Sequence, residues 1–182
     1  MDDDSLSTQL PGNRLSLMQQ KYPLALPLSA LLLTYFLLRL FFQQYVAAKS
    51  WFIFPSGMVV NWFNGTGIYI HSEWVFNVDG TRFVLGAPCS GTTFFSLLSA
   101  YVVYRLLTHK ISVSWLLLVY PIAIAVNSMR VLSSIPAHNA LVHLNLTSLS
   151  TNVHVITGTV TFATCFLLLA YLIEKTNAGA MQ

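Results

Sequence analysis

Long apolar runs alternate with shorter polar segments along this chain. A helix needs about 20 consecutive, mostly apolar residues to cross the hydrocarbon core of a bilayer. Four runs meet this requirement or come close to it, over residues 23–42, 91–107, 111–129 and 153–173. The pattern therefore predicts an all-α membrane protein with four transmembrane helices.

The composition agrees with a location in the membrane. Of the 182 residues, 55% are hydrophobic and 8% are charged, whereas soluble domains carry about 25% charged residues. The mean hydropathy is +0.63. The formal net charge of +3 is small and scattered along the chain, so we expect no nucleic-acid partner. We expect a single multi-pass domain over residues 1–182, in contact with the lipid of the cell inner membrane.

Basic residues predict how the four spans are oriented. Only residues 108–110 separate the second and third spans, so these two form a tight helical hairpin, and an even number of spans places both termini on one side. Lys and Arg are enriched on the cytoplasmic side of membrane proteins. We therefore expect residues 1–22 to form a cytoplasmic tail, with residues 43–90 and 130–152 outside. The basic residues assigned to the cytoplasm are Arg14, Lys21, Arg105, Lys110 and Lys175.

The outer segment 43–90 begins with a different kind of helix. The stretch FPSGMVVNWFNGTG, residues 54–67, is apolar but shorter than a span, and it ends in turn residues. Aromatic side chains gather at the headgroup level of membranes, and Trp51, Trp62 and Phe63 accompany this stretch. We expect a short interfacial helix on the outer surface of the membrane.

A β-hairpin is predicted directly after that helix. The runs EWVFNV (73–78) and TRFVLG (81–86) are rich in β-branched and aromatic residues and are separated by Asp79 and Gly80. An Asp-Gly pair is a strong hairpin signal, because a type I′ turn needs positive φ at both central positions. The second strand leads into Cys89, so the thiol lies at a turn between a strand and a helix.

Three uncommon polar residues fall at the outer ends of separate spans. Cys89 precedes the second span, Arg130 follows the third, and His154 opens the fourth. The expected topology rests on hydropathy and basic residues alone, so the common depth of these residues is an independent observation. A helix N-terminus favours a thiolate and a helix C-terminus favours a cation. We expect the three side chains to meet on the extracytoplasmic face, with Gly86 and Gly91 leaving room for another backbone to approach.

Each of these residues also has an ordinary structural explanation. Cysteine is often a small buried hydrophobe, Arg130 is explained as well by a helix cap or a lipid-phosphate anchor, and interfacial histidines are often anchors. A disulfide does not fit, because Cys165 lies about 16 Å deeper than His154 on the same helix, whereas disulfide Cα atoms come within about 7 Å. No histidine pair has the i, i+4 spacing of helical zinc sites, so we expect no metal and no cofactor.

Three short motifs, taken in order, resemble the exosortase/archaeosortase family. They are APCSG at the start of one span, NSMRV at the end of the next, and HVITG at the start of a later one, over residues 87–91, 127–131 and 154–158. The resemblance covers roughly residues 73–173. Because the chain is short, it is similar to a compact type of the family, exosortase K. Residues 91–173 correspond to the catalytic helical core.

The resemblance implies a membrane cysteine protease or transpeptidase in which Cys89, Arg130 and His154 are catalytic. The implied substrates are exported proteins that end in a short motif, an apolar span and a basic tail. Such enzymes cut near the motif and pass the new carboxyl end to an acceptor at the cell surface. The acceptor itself is left open, as is the choice between transpeptidation and hydrolysis.

The chemistry of these residue types agrees with that activity. A cysteine thiolate attacks the substrate carbonyl and forms a thioacyl-enzyme, and His154 is suited to act first as general base and then as general acid. Arg130 keeps its proton, so it supplies positive charge to the oxyanion or to the thiolate. The supporting residues are expected to be Ser90, Gly91 and Asn127.

Two other functions also fit the sequence. Ser90 next to His154 would suit a serine-type intramembrane protease, since a Ser-Gly pair opens the second span. Alternatively, the chain is a non-enzymatic assembly or transport subunit in which Arg130 binds lipid phosphate. Replacement of Cys89 should abolish only the first function, and replacement of Ser90 should spare the cysteine enzyme but not the serine-type protease.

Overall fold

The fold was analysed in a computed structural model that describes residues 25–78, 80–109, 111–144 and 153–179, without the side chains of 109, 154 and 176–179. The predicted tail at residues 1–22 lies outside the described residues, as do Asp79 and Lys110. The described part is mostly helical and contains one small antiparallel sheet. Its α-helices are α1 (Ala25–Gln44), α2 (Ser50–Asn64), α3 (Thr92–His109), α4 (Ser114–His143) and α5 (Val153–Gly179).

Three helices of the described part are long enough and apolar enough to cross a membrane. They are α1, α4 and the segment Val155–Lys175 of α5. Large apolar side chains on α1 and α5 are exposed, among them Leu33 and Leu168. In water this exposure would be unfavourable, whereas lipid is a suitable solvent for it. The helices therefore indicate a membrane protein, as the composition predicts.

Helix α3 occupies the place of the second predicted span but is not among those three helices. Serine, threonine and tyrosine side chains lower its hydropathy. It packs against α1, α4 and α5, and Ser96, Ala100 and Val102 on it are fully or almost fully buried. A helix enclosed by other helices does not need an apolar surface all round, and small residues allow close helix approach. The structure thus has a helix where the sequence predicts the second span. The surface of this helix is more polar than that of the other three because neighbouring helices cover much of it.

Arg105 on α3 was assigned to the cytoplasmic surface, but it is buried in the structure. Its relative exposure is 8%, and its guanidinium lies 3.7 Å from the carboxylate of Glu174 on α5. A buried arginine needs a partner for its charge, and Glu174 supplies one from the neighbouring helix. Arg105 therefore links two helices at this end of the bundle.

Helix α4 continues well beyond the predicted end of the third span. The sequence predicts that Arg130 closes this helix and that residues 130–152 lie in an outer segment, but the helix extends to His143 through Pro136. The prediction that Arg130 lies at a helix C-terminus is therefore wrong. At 1.5 Å per residue the 30-residue helix is about 45 Å long, which exceeds the roughly 30 Å of a hydrocarbon core. The segment after Arg130 stays helical because it packs on the sheet.

The sheet confirms the predicted hairpin and adds one strand to it. Strands β2 (Glu73–Val78) and β3 (Thr81–Leu85) pair antiparallel, and β1 (Gly67–Ile70) pairs with β2 on the other side. The turn between β1 and β2 is formed by His71 and Ser72, both with positive φ. Residues other than glycine seldom adopt positive φ, and His-Ser is not among the pairs that signal a two-residue hairpin turn, so this turn was not predicted.

A helix, α2, is present where the sequence predicts the interfacial helix, and its interfacial location stays a prediction. It begins at Ser50, earlier than the quoted stretch, and ends at Asn64, after which Gly65 with a φ of 67° forms a left-handed cap. The aromatic side chains expected at the headgroups, Trp51, Trp62 and Phe63, are all exposed.

Two hydrophobic cores form inside the described part, and α4 contributes to both. The first, here called the bundle core, lies between the helices and contains Phe42, Ala48, Phe52, Phe94, Leu98, Val102, Ile111, Val119, Ala123, Val126 and Ile173. The second, here called the sheet core, lies between α2, the sheet and the far end of α4. It contains Ile53, Val60, Trp74, Phe76, Leu85, Val131 and Ile135. The change from one core to the other along α4 falls between Val126 and Val131.

Candidate active site

Cys89 lies in the short connection between the sheet and the bundle. It is the last residue of a 3-10 helix (Ala87–Cys89) that directly follows β3, and its N–H donates to the Gly86 carbonyl (2.9 Å). Helix α3 begins at Thr92, so Cys89 precedes the helix and does not occupy its first turn. Cys89 is half-buried, and neither it nor Cys165 forms a disulfide.

Gly91 turns the chain from this connection into α3. Its φ of +77° lies in the left-handed region, where glycine is strongly favoured. A Cβ atom at Gly91 would lie 2.9 Å from Cγ of Asn127. The space that Gly91 leaves is thus filled by a side chain of α4, and the carboxylate of Glu73 fills the equivalent space at Gly86. The sequence correctly indicated close approach at both glycines, but the expectation that a backbone approaches them was wrong.

Asn127 connects three parts of the molecule. It is fully buried, it contacts Gly91, and its Nδ2 donates to Oγ of Ser56 on α2 (3.2 Å). The adjacent Ser128 hydroxyl contacts the Ser56 carbonyl (3.3 Å). Within the described residues, Oδ1 of Asn127 is buried without a hydrogen-bond partner. These contacts fix α4 against α2 one turn before Arg130, so Asn127 is a positioning residue.

Arg130 is held from the opposite side by α5. Its guanidinium carbon lies 5.3 Å from the ring centroid of Phe162, which is a cation–π distance. A Cβ atom at Gly158 would lie 3.1 Å from Cδ of Arg130, so the arginine stem passes over this glycine. Gly158 is the last residue of the HVITG motif. The small residue in that motif therefore makes room for Arg130.

Cys89 and Arg130 both line two adjoining cavities. The smaller cavity, about 260 Å³, lies between β3 and the part of α4 after Arg130. The larger cavity, about 620 Å³, lies between α1, the start of α3 and α5. Both residues border both cavities, so the thiol and the guanidinium lie where the two cavities meet. A bound chain that occupied both cavities would pass these two groups.

The larger cavity is rich in cationic and hydroxyl groups. Arg39, Lys49 and Arg130 line it, and no acidic side chain belongs to its described lining. Arg39 is fixed by a hydrogen bond from its Nη1 to Oγ1 of Thr93 (2.8 Å). Such a lining suits carboxylate, phosphate or oxyanion groups.

His154 is the second residue of α5, and its side chain lies outside the described residues. Its two neighbours are informative. Val153 lines the smaller cavity and Val155 lines the larger one. The backbone of His154 therefore lies beside both cavities, next to Cys89 and Arg130.

Ser90 differs from Cys89 in its surroundings. It is 2% exposed, and its hydroxyl oxygen lies 3.1 Å from that of Thr92. It borders the larger cavity only. Ser90 thus has the burial and bonding expected of a residue that shapes the turn.

Several residues beside the site carried no functional signal in the sequence. Ser56 and Phe162 are ordinary residues of apolar helices, and only the fold brings them to Asn127 and Arg130. Arg39 offered a signal, as an arginine near the end of an apolar span, because ionisable residues in membrane segments are often functional.

Comparisons with family models, with curated proteins and with solved structures give no match for this chain. The family resemblance therefore rests on the three motifs and remains a prediction.

Proposed function

We propose that this protein is a membrane cysteine protease or transpeptidase that cleaves C-terminal sorting signals of exported proteins. The observation that carries the proposal is the convergence of Cys89 and Arg130 on the same two cavities, beside the first turn of α5. Cys89, Arg130 and His154 belong to three separate elements, the 3-10 helix, α4 and α5. A cysteine that only packs and an arginine that only anchors lipid would not be expected to line the same two cavities.

The three proposed catalytic residues have different tasks. The Cys89 thiolate attacks the carbonyl carbon of the scissile peptide, and the tetrahedral intermediate expels the amine to leave a thioacyl-enzyme. His154 accepts the thiol proton and delivers it to the leaving amine. Arg130 donates hydrogen bonds to the oxyanion. An acceptor nucleophile at the cell surface then attacks the thioester, which releases the product and restores the thiol.

The proposed topology has four spans, with α3 as the enclosed one and both termini in the cytoplasm. The bundle places α3 between α1, α4 and α5, each of which contains a segment suited to a membrane. The sheet and the far end of α4 then lie on the extracytoplasmic face. Cys89 and Arg130 lie at the boundary between the bundle and this outer part.

The larger cavity suits a substrate that is partly embedded in the membrane. Its walls include Phe42 of α1 and Val155 and Phe162 of α5, and the outer faces of both helices carry exposed apolar side chains. An apolar span of a substrate would lie along such faces, with its flanking motif at Cys89. The membrane lipid is a second partner of these surfaces.

The burial of Ser90 bears on the serine-protease alternative. A nucleophile must reach the substrate carbonyl, but Ser90 is almost completely buried and its hydroxyl contacts Thr92. Cys89 is half-buried and borders both cavities. This difference supports the thiol as nucleophile and Ser90 as a supporting residue.

A specific observation also favours a second candidate function. The three cations of the larger cavity have no ion-pair partner among the described residues, which would suit a non-enzymatic assembly or transport subunit that binds anionic lipid. In that protein Cys89 would be dispensable.

The decisive experiment compares Cys89→Ala with Cys165→Ala in cells. Cys165 is the matched control, because it is the other free thiol and packs against the bundle core. Exported proteins that end in an apolar span and a basic tail should keep this end in Cys89→Ala cells and lose it in Cys165→Ala cells. Mass spectrometry of protein C-termini measures the difference.

Two further variants address the nucleophile. Ser90→Ala should retain processing and Cys89→Ser should lose it. Loss in Ser90→Ala cells with retention in Cys89→Ser cells would establish the serine alternative. Normal processing in Cys89→Ala cells would contradict the enzyme proposal and favour the lipid-binding subunit.

A further inference from the structure

Strand β3 is an edge of the sheet, since the strand order is β1-β2-β3. In an antiparallel pair, successive residues alternate between bonding to the partner strand and pointing their backbone groups away from it. The hairpin closes at Val78 and Thr81, and such a closing pair is hydrogen-bonded. Counting from this pair, Phe83 and Leu85 bond to β2. Arg82 and Val84 therefore direct their N–H and C=O groups to the free edge.

The free edge of β3 faces the smaller cavity. All five residues from Thr81 to Leu85 line this cavity, although side chains of successive strand residues point to opposite faces of a sheet. Because this cavity borders residues of both faces, it runs along the backbone edge of β3. No hydrogen bond from another described element reaches Arg82 or Val84. The described part of the chain thus leaves this edge of β3 unpaired.

The same cavity ends at the proposed catalytic residues. Cys89 and Arg130 line it together with β3, and Cys89 follows β3 after a short 3-10 turn. A chain lying along this edge would therefore reach the thiol. Five strand residues extend over about 17 Å, which is the length of a short recognition motif.

We propose that the substrate binds as a fourth strand on β3, so that its backbone hydrogen bonds with Arg82 and Val84 deliver the scissile bond to Cys89. This inference rests on the proposed function. The substrate enters the membrane after its cleavage site, so the segment before that site runs towards Cys89 from outside. Strand β3 runs in the same direction, and the added strand is parallel to it. Edge addition gives affinity through the main chain, and alternate side chains give specificity.

A tetra-alanine vinyl sulfone, which needs no known substrate motif, tests the inference. The Cys89 thiolate adds to the β-carbon of the vinyl group, a carbon–sulfur bond forms, and the α-carbon takes up a proton. Iodoacetamide is the control reagent, since it has no peptide backbone to pair. Mass spectrometry of the full-length protein in lipid discs follows the labelling rates of Cys89 and Cys165.

The first readout is alternation along the probe. Because a strand uses the N–H groups of alternate residues on one edge, N-methylation should slow Cys89 labelling about fivefold to tenfold at one position and little at the next. Equal effects of N-methylation at neighbouring positions would overturn the inference and leave the reactive thiol of the proposed function intact.

The second readout uses the protein edge. Val84→Pro removes one outward N–H at a position where an edge strand tolerates proline, and Val84→Ala is the matched control that keeps it. Only Val84→Pro should slow peptide labelling by about fivefold to tenfold, while iodoacetamide labels Cys89 equally in both variants. Unchanged peptide labelling would overturn the inference. If neither reagent labels Cys89 faster than Cys165 in the wild-type protein, the proposed function itself fails, and this inference fails with it.

Discussion

In the proposed topology the bundle core lies in lipid and the sheet core lies outside the membrane, so different forces stabilise them, although α4 passes through both. Around the bundle core, α1 and α5 expose apolar side chains, and helix association in lipid depends on close packing and hydrogen bonds. The sheet core consists of aromatic and aliphatic side chains, with Trp74 and Phe76 stacked at a centroid distance of 5.8 Å. A core of this kind is stabilised by the removal of apolar surface from water.

The candidate site lies where these two cores meet. Cys89 packs against the sheet core, and Arg130 lies on α4 between Val126 of the bundle core and Val131 of the sheet core. The relative position of Cys89 and Arg130 therefore depends on how the two cores are joined. Loss of either core is expected to separate them.

The largest expected effect on stability comes from replacing one buried leucine of each core by alanine. Leu85 (2% exposed) belongs to the sheet core and Leu98 (1% exposed) to the bundle core. Leu85→Ala should destabilise the sheet core by about 2–5 kcal/mol. Leu98→Ala should cost less, because lipid is as apolar as the bundle interior. Hydrogen exchange in lipid discs, with strand and helix amides followed separately, measures both losses. Equal loosening of both cores by either variant would show that they form one cooperative unit.

Arg130→Lys should have the next largest effect, on catalysis alone. Lysine keeps the positive charge but lacks the planar fork of donors. The rate of substrate processing should fall about 10²- to 10³-fold, as for the loss of an oxyanion donor, with unchanged thermal stability. Arg39→Lys is the control, since Arg39 lines only the larger cavity, and its effect should be within a few fold. A processing rate of Arg130→Lys close to that of the wild type would remove Arg130 from the catalytic set.

Gly91→Ala should have a smaller effect than Arg130→Lys, and this effect should fall on the contact between the two cores. Alanine at positive φ costs about 1–2 kcal/mol, and its Cβ would also press on Asn127. Gly65→Ala is a matched control, because Gly65 has a similar φ of +67° with open space around it. Both variants should lose similar thermal stability from the backbone, while only Gly91→Ala should slow the labelling of Cys89. Equal labelling in both would mean that the contact with Asn127 does not position the thiol.

The smallest expected effect is on the contact between Arg130 and α5. Phe162→Leu removes the ring beneath the guanidinium, a contact of about 0.5–1 kcal/mol. Processing should slow by about twofold to fivefold. The control is Phe166→Leu, one turn further along α5, whose ring packs on Tyr101. If both variants slow processing alike, the effect comes from helix packing and not from Arg130.

The sequence predicted the parts of the fold that depend on local patterns. The apolar runs located α1, α3, α4 and α5 to within a few residues, apart from the far ends of α4 and α5, and the Asp-Gly pair located the hairpin. The prediction of four spans and of their sidedness stays a prediction, because three helices have the character of a span. The far end of α4 was missed because the sequence prediction ended this helix at Arg130, whereas packing of Val131 and Ile135 on the sheet keeps the following segment helical.

The candidate site was predicted in part. The expectation that Cys89 and Arg130 come close agrees with their shared cavities, and their catalytic roles, with that of His154, stay predictions. The link from Asn127 to Ser56 joins residues 71 positions apart. Neither local sequence predicts this contact, because it follows from the packing of α2 on α4.

For the proposed activity, the length of α4 has a consequence for where a substrate is cut. From Ser114 to Arg130 the helix measures about 24 Å, and a hydrocarbon core is about 30 Å thick. If Ser114 marks the cytoplasmic boundary, the length of this helix segment places the guanidinium just below the outer boundary. The depth of Arg130 then determines which peptide bond is cut, namely the bond at a fixed distance from the cytoplasmic end of the substrate's own span. Lengthening that span by one helical turn should move the cut by the same number of residues.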